Sequence, residues 1–300
     1  MTLIMAEGAD DMWSRLRLDR PTPARMYDYY LDGKDNFEVD RSAAEAIYAK
    51  VGYEPKYAAL ENRRFLWRVV EYLARDRGIT QFIDVGSGLP AARNTHEVAQ
   101  EVNPGARVVY VDNDPIVLSH GRALLTKNGN AAVVTADVRD PVGILEAPET
   151  RALIDFSEPV AILFVALFHF VTTPAHHRHV PGDPTPGEIV AAFNERVAPG
   201  SYLVITHVTT EGAPPERVKV MEDAYEDATS PMIFRPRDEI EEMFAGWHLV
   251  PPGVVRPWEW PVIAIDSPHT PYFLAGVAVK DDPARLRPTA SPHRSRSQRR

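Results

Sequence analysis

The sequence predicts an α/β fold: a mostly parallel central sheet with helices on both faces and an antiparallel edge. Three observations carry this expectation. Short apolar runs alternate with segments of helical spacing, the pattern of βαβ units whose sheet is buried on both faces. The first run leads directly into Gly86-Ser87-Gly88. Acids then mark three successive runs: Asp84 just before the glycines, Asp112 closing the second run and Asp137 near the end of the third.

The elements follow in order. Residues 1 to about 20 read as loosely ordered. Pro23 to Leu31 reads as a helix stopped by Gly33. Asp40–Ala49 and Ala58–Arg77 are two further helices, forming with the first an N-terminal helical extension. In the longer one, Leu60, Phe65, Leu66, Val69, Val70 and Leu73 fall near helical spacing. Strands are expected at Gln81–Val85, Arg107–Val111, Ala131–Thr135, Val160–Leu167 and Ser201–Thr206. Helices are expected at 91–101, Pro115–Leu125 and Pro186–Arg196. Glu211–Ala228 and Arg237–Phe244 read as helices, and Leu249–Val255 and Tyr272–Val279 as the strands of the antiparallel edge. From about Asp282 the chain is rich in Pro, Ser and Arg and reads as a disordered basic tail, more a solubilising end than a binding arm. One domain is expected over residues 21–280, with a core at 79–280.

Bulk properties narrow the function classes. The 300 residues carry a formal net charge of -9, which argues against broad binding to nucleic acid or anionic membrane. There is no cysteine, so disulfides, thiolate nucleophiles and Cys-based zinc sites are excluded. No secretory signal or bilayer-length apolar run is evident, and a cytoplasmic location is expected.

The glycine loop and the acids define a candidate ligand site. Glycines let the backbone turn sharply and approach a ligand closely. The carboxyl ends of parallel strands open onto a binding crevice. An acid closing the second strand can accept both ribose hydroxyls of an adenosine, and one after the third can accept an adenine amino group. Asp84 can hold the loop or meet an ammonium. The run Gly86-Ser87-Gly88-Leu89-Pro90-Ala91 also fits the dinucleotide pattern GxGxxA, which is weak alone. Pro90 removes an amide donor, Asp84 would repel a pyrophosphate, and a third acid suits a cationic ligand. These favour S-adenosylmethionine (SAM) over a dinucleotide, and a nicotinamide-dependent oxidoreductase is the least favoured reading.

The chain resembles a bacterial S-adenosyl methyltransferase family long catalogued as a domain of unknown function. Its opening signature is matched by Pro23-Ala24-Arg25-Met26-Tyr27-Asp28-Tyr29-Tyr30-Leu31-Asp32-Gly33-Lys34-Asp35-Asn36-Phe37. The match continues through Gln81–Pro90, His96–Gln100, Arg107–Pro115, Ala136–Pro141, Leu167–Phe170 and Ala198–Leu203, covering roughly residues 20 to 280. The resemblance implies the Rossmann-like fold of class I SAM-dependent methyltransferases, SAM as cofactor and S-adenosylhomocysteine as product. It implies no acceptor. Asp32 stands where the family usually has a second glycine. The segment Val171–His179 is longer than the family's usual acidic loop, which points to a different choice of substrate.

The expected cofactor contacts are Asp84, Gly86, Ser87, Gly88, Asp112, Asn113, Asp137, Val138 and Phe168, with Arg25, Tyr27 and Asn36 reaching over from an N-terminal lid. His169, after the fourth strand, is the candidate general base. His207 and Tyr29 are weaker candidates. His176, His177, Arg178 and His179 read as a solvated loop rather than a metal site, because adjacent histidines cannot easily ligate one ion. The expected function is methyl transfer to a small-molecule oxygen or nitrogen acceptor, with no nucleic-acid or membrane partner. The competing expectation is a SAM-binding regulator without catalysis. Oligomeric state is not legible.

Overall fold

A computed structural model describes residues 18–125, 128–260 and 269–281. The two expectations of terminal disorder therefore fall almost wholly outside the described residues. Seven strands form one sheet in the order β3-β2-β1-β4-β5-β7-β6. These are β1 Gln81–Val85, β2 Arg107–Asp112, β3 Ala131–Thr135, β4 Ala161–Val165, β5 Tyr202–Val208, β6 His248–Leu249 and β7 Phe273–Val279. Strands β1 to β5 pair in parallel. β7 runs antiparallel to both β5 and β6. The expected parallel sheet with an antiparallel edge is thus observed.

Alternation along each strand builds two cores. Ile83, Val85, Val109, Val111, Ile162, Phe164, Leu203 and Ile205 face one side of the sheet. Phe82, Val108, Tyr110, Ala161, Leu163 and Val204 face the other, where Phe65, Leu66, Val69, Val70 and Leu73 of a long helix cover them. Both faces are therefore dry, which is why the strands read as unbroken apolar runs.

The helices, in chain order, are α1 Pro23–Tyr30, α2 Glu38–Val51, α3 Glu54–Asp76, α4 Thr95–Val102, α5 Pro115–Leu125, α6 Pro141–Glu146, α7 Pro148–Leu153, α8 Pro186–Arg196, α9 Pro215–Ala224 and α10 Arg237–Glu242. Helices α6 and α7 are additions to the sequence expectation. α9 and α10 are shorter than expected, and α4 starts at Thr95 rather than 91. Its start is fixed by Glu97, whose carboxylate accepts from the Asn94 amide at 2.6 Å.

α1 opens with Thr22 as N-cap and Pro23 at its first turn. It does not end as expected. The left-handed residue is Asp32 (φ 58°), not Gly33. Gly33 is required for space: a Cβ there would lie 2.0 Å from Asp28 Oδ1. α1 and α2 bury Met26, Tyr30, Ala44 and Ile47 in a third core with Met221, Tyr225, Phe234, Tyr272 and Phe273. The N-terminal extension is thereby packed across the carboxyl ends of β5 and its neighbours. Among the described residues, no helix is long and apolar enough to cross a membrane.

Candidate active site

Strand order reverses between β1 and β4, so the chain leaves these two neighbours in opposite directions and opens a crevice. Two left-handed residues flank it, Gly86 (φ 71°) after β1 and Ala166 (φ 56°) after β4. Gly86 has no room for a side chain, because a Cβ would sit 2.5 Å from Leu167 Cδ1. A cavity of about 400 Å³ lies here, within the range of small-ligand sites. Its walls come from the ends of β1, β2, β3, β4 and β5, from residues 22–31, from α3 and from the 229–234 loop.

The polar half lies over β1, β2 and β3. Asp112 is buried, and each carboxylate oxygen receives one backbone amide at 2.9 Å: Gly88 on Oδ2 and Asp114 on Oδ1. Each oxygen therefore keeps acceptor capacity toward the cavity. Burial pushes the Asp112 carboxyl up to about 6. Asp84 is also buried and raised by burial, and it accepts from Thr95 Oγ1 at 2.6 Å. Gly88 (φ 66°) faces open space on the cavity wall.

Asp137 lines the cavity but is already engaged. Its Oδ1 takes the Arg139 amide and Nε, both at 2.9 Å, and its Oδ2 takes Arg139 Nη2 at 2.6 Å and Asn113 Nδ2 at 3.1 Å. Those four bonds fill the lone pairs of a carboxylate. Burial works against its charge, but the Arg139 bonds outweigh it and the net shift is downward. Arg139 Nη1 also holds Asp183 at 2.9 Å, which ties the loop before α8 to the loop after β3.

Of the residues singled out in the sequence, Tyr27, Asp84, Gly86, Ser87, Gly88, Asp112, Asn113, Asp137, Val138 and His169 line this one cavity. Arg25, Asn36 and Phe168 do not line it. Arg25 is fully buried in an ion pair with Asp40 at 2.9 Å. Asn36 turns its amide to Asp28 Oδ2 at 2.8 Å and the Gly33 carbonyl at 3.1 Å. Phe168 stacks on Phe164 in the core, with centroids 4.4 Å apart. These three residues build the segments that form the wall.

Tyr27 connects the N-terminal segment to the crevice. Its hydroxyl donates to the Ala59 carbonyl at 3.0 Å and accepts from Asn62 Nδ2 at 2.9 Å. Asn62 Oδ1 accepts from Thr206 Oγ1 at 2.7 Å, and Thr206 Oγ1 accepts the Ala166 amide at 2.8 Å.

His169 is buried on the wall, and its Nδ1 has no hydrogen-bond partner. Burial, then His207 and Arg235, hold its imidazole well below the usual range. The ring is neutral near pH 7 and can accept a hydrogen bond, but it holds a proton poorly. His207 is excluded as a base by its own bonds. Its Nδ1 donates to the Val208 carbonyl at 2.6 Å, and its Nε2 accepts from Arg235 Nη1 at 2.7 Å. Tyr29 lies off the cavity and bonds Glu45. Arg235 also donates to the Phe168 and Val171 carbonyls at 3.0 and 2.7 Å, fixing the short 3₁₀ turn that carries His169.

The His-rich loop is bound by protein contacts. His176 Nδ1 accepts from the Thr173 amide at 3.1 Å, and His177 stands 3.4 Å from Glu226. Among the described residues, no three His or carboxylate side chains group as a metal site. Arg178 and Val180 of this loop line the cavity.

Sequence reasoning missed Arg63. It lines the cavity beside Asp84, and its Nε is buried without a partner. One arginine of the polar Glu61–Arg64 stretch of α3 carries no signal of this. The dinucleotide pattern, in contrast, needs a helix opening at its third position. Here α4 begins only at Thr95, so Gly86–Ala91 is a free loop.

Comparison with known proteins bears on the family and the fold. A family model for S-adenosyl methyltransferases matches residues 10–281. A Thermobifida fusca protein provisionally described as a methyltransferase is 43% identical, with a TM-score of 0.78 over 89% of this chain and 97% of that one. A DUF574-family protein of Streptomyces avermitilis is 38% identical, with a TM-score of 0.80 over 88% of this chain and 99% of that one. No curated protein matches the chain. With its 3-2-1-4-5-7-6 sheet and a family model that spans most of its length, the chain belongs to the S-adenosyl methyltransferase family.

Proposed function

We propose that this chain binds SAM in the polar half of the cavity and methylates a small-molecule oxygen or nitrogen acceptor seated beside it. The observation that carries the proposal is Asp112, a buried carboxylate at the tip of β2 whose two oxygens each retain acceptor capacity toward the cavity. The other residues present fit the same ligand. Arg63, with its orphan Nε, is placed to take a carboxylate. Asp84 supplies negative charge at the glycine loop toward an ammonium or sulfonium. Because Asp137 is saturated, Asn113 and the backbone around Val138 are better placed to meet an adenine edge. When bound, SAM supplies a methyl group on a positively charged sulfur and leaves as S-adenosylhomocysteine.

The chain's own contribution is alignment and exclusion of water. Leu167 against Gly86 seals the crevice floor. Residues 22–31 cover it from the N-terminal side. His169 accepts a hydrogen bond from the acceptor and orients it.

Calorimetric titration with SAM, S-adenosylhomocysteine and NAD tests the cofactor assignment. Binding of the first two but not NAD, with affinity lost in Asp112→Ala, supports it. Heat from NAD alone sinks it. Turnover over a panel of acceptors then separates an enzyme from a SAM-binding regulator.

A further inference from the structure

Away from the glycine loop the cavity wall is apolar, built from Phe170, Met221, Tyr225, Met232, Phe234 and Tyr272. The Phe170 and Tyr225 rings lie 5.8 Å apart, centroid to centroid. Such a wall suits a flat apolar body. The charge on its rim decides which polar group that body carries.

Among the described residues, the arginines that line the cavity are Arg63, Arg139 and Arg178. Arg139 is neutralised by Asp137 and Asp183. Arg63 stands at the polar end beside Asp84 and is taken above for the cofactor carboxylate. Arg178 belongs to the other end. Its Nη1 donates to the Glu226 carbonyl at 3.1 Å, in the stretch between Tyr225 and Thr229 of the wall. That bond uses one donor of the guanidinium and supplies no counter-charge.

Acids of the neighbouring segments are engaged elsewhere. The Glu226 carboxylate stands 3.4 Å from His177, Asp183 is held by Arg139 at 2.9 Å, and Glu239 lies 3.6 Å from Arg235. Glu188 accepts the Thr185 amide at 2.8 Å. Among the described residues, none of these carboxylates, nor any other, forms an ion pair with Arg178. The loop that carries it, residues 171–183, has Asp183 as its one acid, so its uncompensated charge is positive. Asp28, on the α1 part of the wall, keeps its Oδ1 open, but its charged neighbours are Asp35 and His120 of α5 rather than Arg178.

We infer that the apolar end is the acceptor pocket and that its occupant is a compact aromatic molecule bearing a carboxylate, which Arg178 binds at the rim. This inference rests on the SAM-binding reading above and names the substrate class of the same site. Phe170, Tyr225 and Phe234 supply the flat apolar contact. The guanidinium fork matches the two oxygens of a carboxylate, and the apolar surroundings strengthen the pair relative to open water. A neutral head group forgoes the charge, and a cationic one is repelled.

The experiment uses the full chain saturated with S-adenosylhomocysteine, which occupies Arg63, and reads binding by calorimetry. The probes are 2-naphthoate, 2-naphthamide and 2-naphthylmethylamine, with benzoate, benzamide and benzylamine as a smaller set. The acid is expected to bind about tenfold tighter than its amide in at least one set, the lower end for a charge-assisted bond because Arg178 is partly exposed. Arg178→Met keeps the apolar stem and removes the charge. It is expected to bring the acid to the level of the amide while leaving amide and S-adenosylhomocysteine affinities unchanged. An acid no tighter than its amide in both sets, whether from equal binding or from none, overturns the inference alone. So does an unaltered preference in Arg178→Met, or an amine that binds tighter than the acid. Failure of S-adenosylhomocysteine itself to bind overturns the SAM reading and the inference with it.

Discussion

On the proposed function, Asp112 ties cofactor affinity to stability, and Asp112→Asn would separate the two. Burial raises this carboxyl from 3.8 to about 6. A difference of that size corresponds to about 3 kcal/mol. The folded chain holds the proton more tightly than the unfolded chain. The stability associated with this group is therefore greatest below about pH 4 and declines as the pH rises through about 6. Asparagine removes the charge, but its amide cannot accept from both Gly88 and Asp114, at a cost of about 1 kcal/mol. Urea unfolding of the ligand-free protein at pH 7.5 should then show the variant more stable by about 1–2 kcal/mol. At acid pH that gain should vanish. Calorimetry should show SAM affinity lower by about 10–100-fold, the loss of charge-assisted bonds worth about 1.5–3 kcal/mol. A variant that is less stable at pH 7.5, or that binds SAM as well as the parent, would refute this account of Asp112.

Other expectations follow from the same structure. His207 is pushed down to about 3 by burial and Arg235, so its neutral form stabilises the fold above its unfolded value of 6.5 and that stability is lost as pH falls. In His207→Gln the drop in unfolding free energy between pH 7 and pH 5 should shrink by about 2 kcal/mol; an unchanged slope would show that His207 titrates normally. Gly86→Ala should cost at least about 2 kcal/mol from its left-handed backbone and the Leu167 clash, read by urea unfolding, and a neutral effect would mean the β1 turn is more plastic than described. Gly33→Ala should displace Asp28 from Asn36 and Asp35 and cost a similar amount, whereas a purely helix-ending glycine would lose much less. Arg63→Met should weaken S-adenosylhomocysteine by about tenfold or more while sparing 5′-methylthioadenosine, which lacks the carboxylate; equal losses for both would place Arg63 elsewhere in the site.

The strands were legible because burial on both faces writes them as continuous apolar runs, and β1 to β5 lie within a few residues of expectation. Helices α6 and α7 were not, since six residues opened by proline give too little periodicity to separate from a loop. β6 spans only His248–Leu249, where a strand over Leu249–Val255 was expected, because the chain turns away from the sheet after two residues. The start of α4 was misplaced because apolar residues after the glycines read as helix, while the true signal was the Asn94–Glu97 pair. In the site, the placement of the strand-end acids and glycines on the cavity wall was readable because position in a parallel sheet puts them there. Arg25 and Asn36 were misjudged for a different reason. Polar residues in a signature segment look like ligand contacts, yet here they satisfy Asp40 and Asp28 inside the protein. Arg63 and the saturation of Asp137 depend on contacts between distant segments, which no local pattern records.

The antiparallel β7 has a consequence for synthesis. It fills the position between β5 and β6, pairing with β5 from Tyr202–Val279 to Val208–Phe273. A ribosome therefore releases β5 long before its partner exists, with about 65 residues of chain intervening (Val208 to Phe273). Through that interval the nascent protein carries an open sheet edge of seven apolar-flanked residues, the kind of surface that recruits other strands. Chains halted before Phe273 should accordingly be substrates for holdase chaperones or for aggregation, and the completed protein should be neither.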